Sequence, residues 1–176
     1  MNFSQVKAIT IPEGSVKSIS INGVTVWSSN ATPVVRTYFA NDTIDCSNLN
    51  KFPNYNTDGY KRPLWTFYGS VVWAGLYNTI QTAINNGKTV HCKLFKNNVQ
   101  LIDWTNYSAT STYMVFSDMS DPGSQSADRV YITHKIGSQT LAANQFTATF
   151  YIGGVEQFQY NLTSSDIISC QIYYDD

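Results

Sequence analysis

The chain has 176 residues, a formal net charge of −1 at pH 7 and only 13% charged residues. That length suits one domain, or one domain with a small extra module, and it can bury a core without disulfide or metal support. Its longest basic run is the pair Lys61-Arg62, too little for the several phosphate contacts of nucleic-acid binding. No apolar run approaches the roughly 20 residues of a membrane helix, and the N-terminus lacks a signal-peptide pattern. We expect no nucleic-acid partner, no membrane insertion and synthesis in a cytoplasm.

The N-terminal segment, residues 4–29, predicts a small β meander. Pro12-Glu13-Gly14 and Asn22-Gly23 are turn sequences, and they separate three stretches in which apolar and polar residues largely alternate. Strands this short are marginal by themselves, so the meander needs a partner surface. We therefore predict an N-terminal β module at residues 1–29 and a β-rich surface domain at residues 30–176.

The middle of the chain predicts a loop and then a helix. Residues 41–63 are rich in Asn, Asp, Gly and Pro and have no clear period, so we predict a long loop region with short strands at most. Residues 74–86 predict one short helix, because the apolar residues between Leu76 and Ile84 recur at helical spacing. Asn86-Gly87 then supplies a left-handed C-terminal cap.

The rest of the chain predicts strands joined by turns. A hairpin is expected across Asn97-Asn98, since Asn tolerates positive φ, and another across Gly153-Gly154. The expected strands cover residues 89–96, 99–104, 112–118, 129–137, 146–152, 155–162 and 167–174. Together these elements predict a mainly β protein, in which the small N-terminal meander precedes a β-sandwich-like domain with one short helix.

The reactive side chains do not form a recognisable catalytic pattern. His91 and His134 each fall in a strand-like segment. Cys92 follows His91, but neighbours in a strand point to opposite faces and therefore cannot form a nucleophile pair. The three cysteines, Cys46, Cys92 and Cys170, are widely spaced along the chain. This spacing matches neither a disulfide framework nor a zinc motif. We interpret the three cysteines as buried thiols and expect neither enzymatic activity nor a cofactor.

Three aspartates surround one loop, at Asp118, Asp121 and Asp128. Because Asp121-Pro122-Gly123 is a turn sequence, the favoured interpretation is structural. Two weaker alternatives remain open. Carboxylates could hold Ca²⁺, which requires six to eight oxygen ligands, or a suitably spaced pair could cleave glycosidic bonds.

Aromatic residues are unusually frequent, at 14% of the chain. Most should fill the β core, but aromatic rings also stack on sugars and anchor protein interfaces. Tyr55, Tyr60 and Tyr107 are the better contact candidates, because they fall in polar segments predicted as loops. The full set of candidate ligand contacts is Tyr55, Tyr60, Trp65, Tyr68, Trp73 and Tyr107.

One resemblance to known proteins begins at residues 9–17 and runs through Val26-Trp27. This segment resembles the opening of many tail and appendage proteins of tailed bacteriophages, which pair I-P-E-G-x-V-K with V-x-x-I-x-x-x-G-x-x-V-W. The matching positions of the second stretch are Val16, Ile19, Gly23, Val26 and Trp27. A looser similarity to phage fibre and head-fibre proteins covers residues 80–90 and Phe116-Ser117. The resemblance implies a virion structural protein and supplies no catalytic residues.

We therefore expect a non-enzymatic structural component on the surface of a tailed-phage virion, made in the cytoplasm of the host bacterium. It would be a tail-tip or receptor-binding accessory, or a capsid decoration or head fibre. Its expected partners are other virion proteins, further copies of itself in a homo-oligomer, and a host receptor or glycan. The alternative is a carbohydrate-binding module that recognises cell-surface glycan by aromatic stacking. The predicted attachment residues are Ile9, Ile11, Val16, Ile19, Val26 and Trp27.

Overall fold

The computed structural model describes the chain in several stretches, with residues 18–21 and 24–28 described by their backbone alone. The stretches are residues 18–21, 24–28, 34–52, 62–122, 127–158 and 162–176. The chain divides into two compact units, residues 1–35 and 36–176.

The described part of the first unit is a β hairpin. Strand β1 (Ser18–Ile21) pairs antiparallel with β2 (Val24–Ser28), as the Asn22-Gly23 turn sequence predicts. Ile19 and Trp27 are direct partners across the hairpin. The first strand of the predicted meander, with Ile9 and Ile11, and Val16 at the start of its second strand lie outside the described residues.

The described residues of the second unit form two large antiparallel sheets, one two-stranded sheet and a short helix. The elements are β3 (Arg36–Asp45), β4 (Leu64–Thr66), α1 (Leu76–Asn85), β5 (Val90–Lys96), β6 (Val99–Trp104), β7 (Asn106–Ala109), β8 (Tyr113–Ser117), β9 (Arg129–Thr133), β10 (Lys135–Ile136), β11 (Gln139–Thr140), β12 (Gln145–Ile152), β13 (Val155–Glu156) and β14 (Ile167–Asp175). One large sheet has four strands in the order β3-β14-β5-β6, and the other has six, in the order β13-β12-β9-β8-β7 with β4 also paired to β12; β10 and β11 form the small sheet. The predicted mainly β, sandwich-like fold with a short helix is confirmed.

The two sheets enclose one main hydrophobic core. On the four-stranded sheet, alternate residues such as Cys92 and Leu94 of β5 face that core and are fully buried, as expected for strands with one solvated face. The six-stranded sheet contributes Phe146, whose ring stacks on Phe67 with centroids 4.6 Å apart. The helix closes this core with its apolar side, which includes Ile80.

The loop predicted over residues 41–63 is wrong at its start, because Asn41–Asp45 belong to the ten-residue strand β3. Two features of this strand break the alternating pattern by which a strand is predicted from sequence. The pairing with β14 shifts by one residue, so that Phe39 has no direct partner and the period of two is broken. In addition Asp42 faces inward opposite Cys170, where its carboxylate accepts the Thr66 amide at 2.6 Å.

Three further element boundaries differ from the prediction. The strand predicted over residues 129–137 is broken at His134 into β9 and β10. The strand predicted over residues 155–162 contains only Val155–Glu156 within the described residues. An additional short strand, β7, follows β6 directly and carries the chain from the four-stranded sheet to the six-stranded one.

The hairpin across Asn97-Asn98 is confirmed, with φ values of 52° and 65°. Its first residue also anchors the beginning of β14. The Asn97 side chain donates to Asp166 at 2.8 Å and accepts the amide of Ile167 at 2.8 Å. The Asp166 carboxylate accepts the Thr163 amide at 2.7 Å and pairs with the Lys96 ammonium at 3.2 Å. These donors favour the ionised form and hold the pKa of Asp166 well below its usual range.

We predict that Asp166→Asn lowers the urea midpoint of unfolding at neutral pH. The pKa of this carboxyl is lower in the folded chain than in the unfolded one, so its stabilisation is present above the unfolded pKa and declines as the pH falls below about 4. The difference between the variant and the natural chain should therefore shrink on acidification. Asp118→Asn in an exposed loop serves as the control, and equal midpoints for both variants at neutral pH would contradict the anchoring role.

Candidate binding surface

The outer face of the six-stranded sheet carries a row of three tyrosines. Strands β8, β9 and β12 are neighbours, and each contributes one of them: Tyr113, Tyr131 and Tyr151. Met114 and Val130, which alternate with these tyrosines, point into the core and are fully buried. The ring centroids lie 5.9 Å and 6.2 Å apart along the row, so the three rings form one continuous diagonal stripe.

The middle ring of the row is turned relative to both of its neighbours. Tyr131 makes interplanar angles of 65° with Tyr113 and 88° with Tyr151, the edge-to-face arrangement that aromatic pairs favour. The guanidinium carbon of Arg129 lies 5.2 Å from the centroid of the Tyr131 ring, within cation–π distance. We call these four residues, Tyr113, Arg129, Tyr131 and Tyr151, the tyrosine face.

Charged groups surround one end of the tyrosine face. Glu156 of β13 lies directly opposite Tyr151 in the register. Partial burial raises the pKa of the Tyr151 hydroxyl, the Glu156 carboxylate raises it further, and Arg62 opposes the shift. Tyr113 at the other end is 39% exposed. The surface therefore combines one exposed ring and the two half-buried rings of Tyr131 and Tyr151 with guanidinium and carboxylate groups.

The part of this sheet face beside β4 is covered by other segments of the chain. The short β10–β11 hairpin supplies Ile136, and the segment after it supplies Leu141. Both pack with Leu64 of β4 in a small second cluster of buried residues. Apolar side chains there are shielded from water, whereas the tyrosines on β8, β9 and β12 keep contact with it.

The prediction of Trp65 as a ligand contact is wrong. Trp65 belongs to β4 and has no exposed surface. Its ring packs against Phe146 and Phe158, with centroids 6.0 Å and 5.8 Å away. The position is interior because Trp65 pairs with Phe146 on the core side of the sheet.

Tyr107 lies in strand β7 and not in a loop as predicted. Its ring packs on Phe116 with centroids 5.1 Å apart. Among the described residues its shielded hydroxyl has no hydrogen-bond partner, and burial raises its pKa. This residue therefore contributes more to packing than to contact with a ligand.

The other aromatic candidates do not form one site. Tyr68 is 54% exposed and its ring approaches Tyr38. Trp73 is half-buried, stacks on His134 with centroids 5.5 Å apart and donates its indole N–H to the Ser111 carbonyl at 3.1 Å. Tyr55 and Tyr60 lie outside the described residues.

The histidines and thiols are separated as the strand geometry requires. His91 lies on the outer face of the four-stranded sheet, where its Nδ1 is 2.7 Å from the Asp103 carboxylate and its ring stacks on Tyr173. Cys92 points to the opposite side and is fully buried. The ring Nδ1 of His134 contacts the Gln145 carbonyl at 3.1 Å. An Asp–His pair can act as a general base, but here the adjacent thiol cannot reach it.

The three loop aspartates do not form a set of metal ligands. The amide of Asp118 donates to the carbonyl of Asp128 at 3.3 Å, and the Asp128 carboxylate accepts the Gly153 amide at 2.7 Å. Across the described ranges, no group of three or more His, Cys, Asp or Glu side chains is placed to hold a metal ion. The contacts of Asp128 organise the turn between β12 and β13. They support neither the calcium alternative nor the glycosidase alternative, for both of which Asp121 is also a candidate.

Among the described residues, a polar and an apolar cavity open beside the sheets. A polar cavity of about 420 Å³ lies between the end of α1 and the start of β7, where Gln81, Thr89 and Asn106 line it. An apolar cavity of about 340 Å³ lies at one end of the sandwich, between Leu101 and Ile152. Both fall within the usual range of ligand-site volumes, but neither is lined by a histidine, a cysteine or a residue of the tyrosine face.

No family model, curated protein or solved structure matches this chain. Within the part of the chain that the structure describes, helices fall short of the length and apolarity needed to cross a bilayer. The function is therefore inferred from the chemistry of the surfaces described above.

We predict that Trp65→Ala lowers the free energy of unfolding by about 3 to 5 kcal/mol, the range for deleting a buried Trp or Phe side chain. Tyr113→Ala should lower it by less than about 1 kcal/mol, because this ring is 39% exposed. Urea unfolding of both variants measures the difference. Similar losses would mean that the interior and surface assignments of the two rings are wrong.

We also predict that the three thiols react slowly in the folded protein. Cys46, Cys92 and Cys170 are free and buried. Burial raises the pKa of Cys46 to about 11 and holds that of Cys170 well above its usual range, and only the thiolate reacts quickly. A disulfide reagent at mildly alkaline pH should label all three rapidly in urea and none rapidly without it. One fast-reacting thiol in the native chain, lost in the matching Cys→Ser variant, would reveal an activated nucleophile.

Proposed function

We propose that the protein is a non-enzymatic component on the surface of a tailed-bacteriophage virion, where its sandwich presents the tyrosine face to a binding partner. The observation that carries the binding role is the row Tyr113, Tyr131 and Tyr151 on an open sheet face. Tyrosine and arginine are the residue types enriched at binding surfaces. The thiols, by contrast, are buried, which favours contact over covalent chemistry.

The virion part of the proposal rests on the N-terminal sequence. Residues 9–27 resemble the opening of phage tail and appendage proteins, and the hairpin β1–β2 forms part of that segment. A two-stranded hairpin is marginal without a partner surface. We therefore assign attachment to the N-terminal module and presentation to the sandwich, at a tail tip or on the capsid.

The low charge of the chain suits assembly in several copies. Only 13% of the residues are charged and the net charge is −1, so neighbouring copies repel one another weakly. Symmetric homo-oligomers are the commonest protein assemblies. We therefore propose a homo-oligomer held against other virion proteins by apolar complementarity.

The decisive experiment is deletion of residues 1–29 in a phage that carries the gene. Particles should then lack the protein, because the attachment module is removed while the buried core described for residues 36–176 is retained. Mass spectrometry of purified particles measures incorporation, and a cooperative thermal transition of the truncated chain shows that the sandwich still folds.

Two further variants make the outcome unambiguous. Trp27→Ala in the full chain tests attachment without a deletion, and Tyr151→Ala should leave incorporation unchanged. Normal incorporation of the truncated chain and of Trp27→Ala would refute the attachment role. Absence of the natural chain from purified particles would refute the virion assignment itself.

A further inference from the structure

The chemical groups of the tyrosine face favour some classes of binding partner over others. It presents phenol rings with their hydroxyls beside the partly buried Arg129 guanidinium, and Thr149 adds a hydroxyl directly opposite Tyr131. The aliphatic side chain on this face of β8, Val115, is buried. Protein interfaces usually have an apolar core with few charged groups. Rings interleaved with hydrogen-bonding groups instead suit a partner that has apolar ring faces and many hydroxyls.

We propose that the tyrosine face binds a glycan, and specifically a single twisted oligosaccharide chain. Sugar rings offer a C–H face that packs on an aromatic ring and hydroxyls that pair with guanidinium, carboxylate and phenol groups. The spacing of the rings, 5.9 Å and 6.2 Å between centroids, is close to the repeat of successive sugar units in an extended chain. The row is therefore long enough to contact consecutive sugars.

The orientation of the rings narrows the ligand class further. Because Tyr131 is turned by 65° and 88° from its neighbours, the three rings cannot lie flat on one plane. The surface of a polysaccharide crystal presents coplanar sugars, and only one of the three tyrosine rings could stack flat against it. A soluble chain whose successive units rotate can follow the row, with the Arg129 guanidinium, beside Tyr131 and opposite Tyr151, donating to hydroxyl or carboxylate groups.

The inference extends the proposed function by naming the partner class of the same surface, but the two fail separately. Particle incorporation is assigned to the N-terminal module, which contains no residue of the tyrosine face. If the chain enters particles but binds no glycan, only glycan binding by the tyrosine face is refuted. If the chain binds glycan but never enters particles, only the virion assignment is refuted.

The test uses the full-length protein on an immobilised panel of defined soluble oligosaccharides, both neutral and uronate-containing, with crystalline cellulose as a flat surface. We expect binding to at least one soluble oligosaccharide and none to the cellulose. Tyr113→Ala and Tyr151→Ala should each weaken that binding roughly tenfold, a typical loss for one aromatic contact. The matched control is Tyr77→Ala, which removes a 37% exposed tyrosine of α1 outside the row and should leave binding unchanged.

A second pair of variants distinguishes a loss of glycan binding from a loss of folding. Tyr113→Phe and Tyr151→Phe keep the rings and should retain more binding than the Ala variants, while thermal unfolding confirms that each variant is folded. The proposal is overturned if no oligosaccharide binds, if the protein binds cellulose as well as the soluble chains, or if Tyr77→Ala weakens binding as much as Tyr113→Ala does. It is also overturned if the Ala variants abolish self-association and leave glycan binding intact, since the face would then be an interface between copies.

Discussion

The alternation of side chains along the strands decides which groups can act together in this protein. Because neighbours in a strand point to opposite faces, His91 is solvent-facing and Cys92 is buried although they are adjacent in sequence. The same rule places Met114 in the core and Tyr113 outside. The sandwich thus places its three thiols inward and the tyrosines of the tyrosine face outward. Both the separation of His91 from Cys92 and the existence of the tyrosine face follow from this alternation.

The register of the central strand keeps this sorting fixed. Strand β14 pairs with β3 on one side and β5 on the other, and a slip of one residue would turn every side chain to the wrong face. The Asn97 side chain donates to Asp166 and accepts the amide of Ile167, and these hydrogen bonds hold the beginning of β14 against the β5–β6 turn. A few polar contacts at one turn therefore support the positions of many apolar residues in the core.

Local patterns predicted the elements that local chemistry determines. The Asn97-Asn98 and Gly153-Gly154 turns and the helix at Leu76–Asn85 were predictable because each depends on a turn sequence or a helical period nearby. Strand β3 was not, because its bulge and the inward Asp42 break the period. The tyrosine face was half predictable: each tyrosine occupies an outward strand position, but which strands lie side by side is set by pairing across the whole chain.

Tyrosine is a physically sensible choice for an open sheet face. Phenylalanine or isoleucine there would expose an apolar patch prone to association, whereas a phenol ring keeps one polar end in water. The edge-to-face contacts of Tyr131 with both neighbours also restrict the ring orientations before any partner arrives. Two-torsion aromatic side chains lose little conformational entropy on binding, so a row held in this way can contribute affinity without a deep pocket. A shallow, pre-arranged surface of this kind suits an extended ligand that is held at several points along its length.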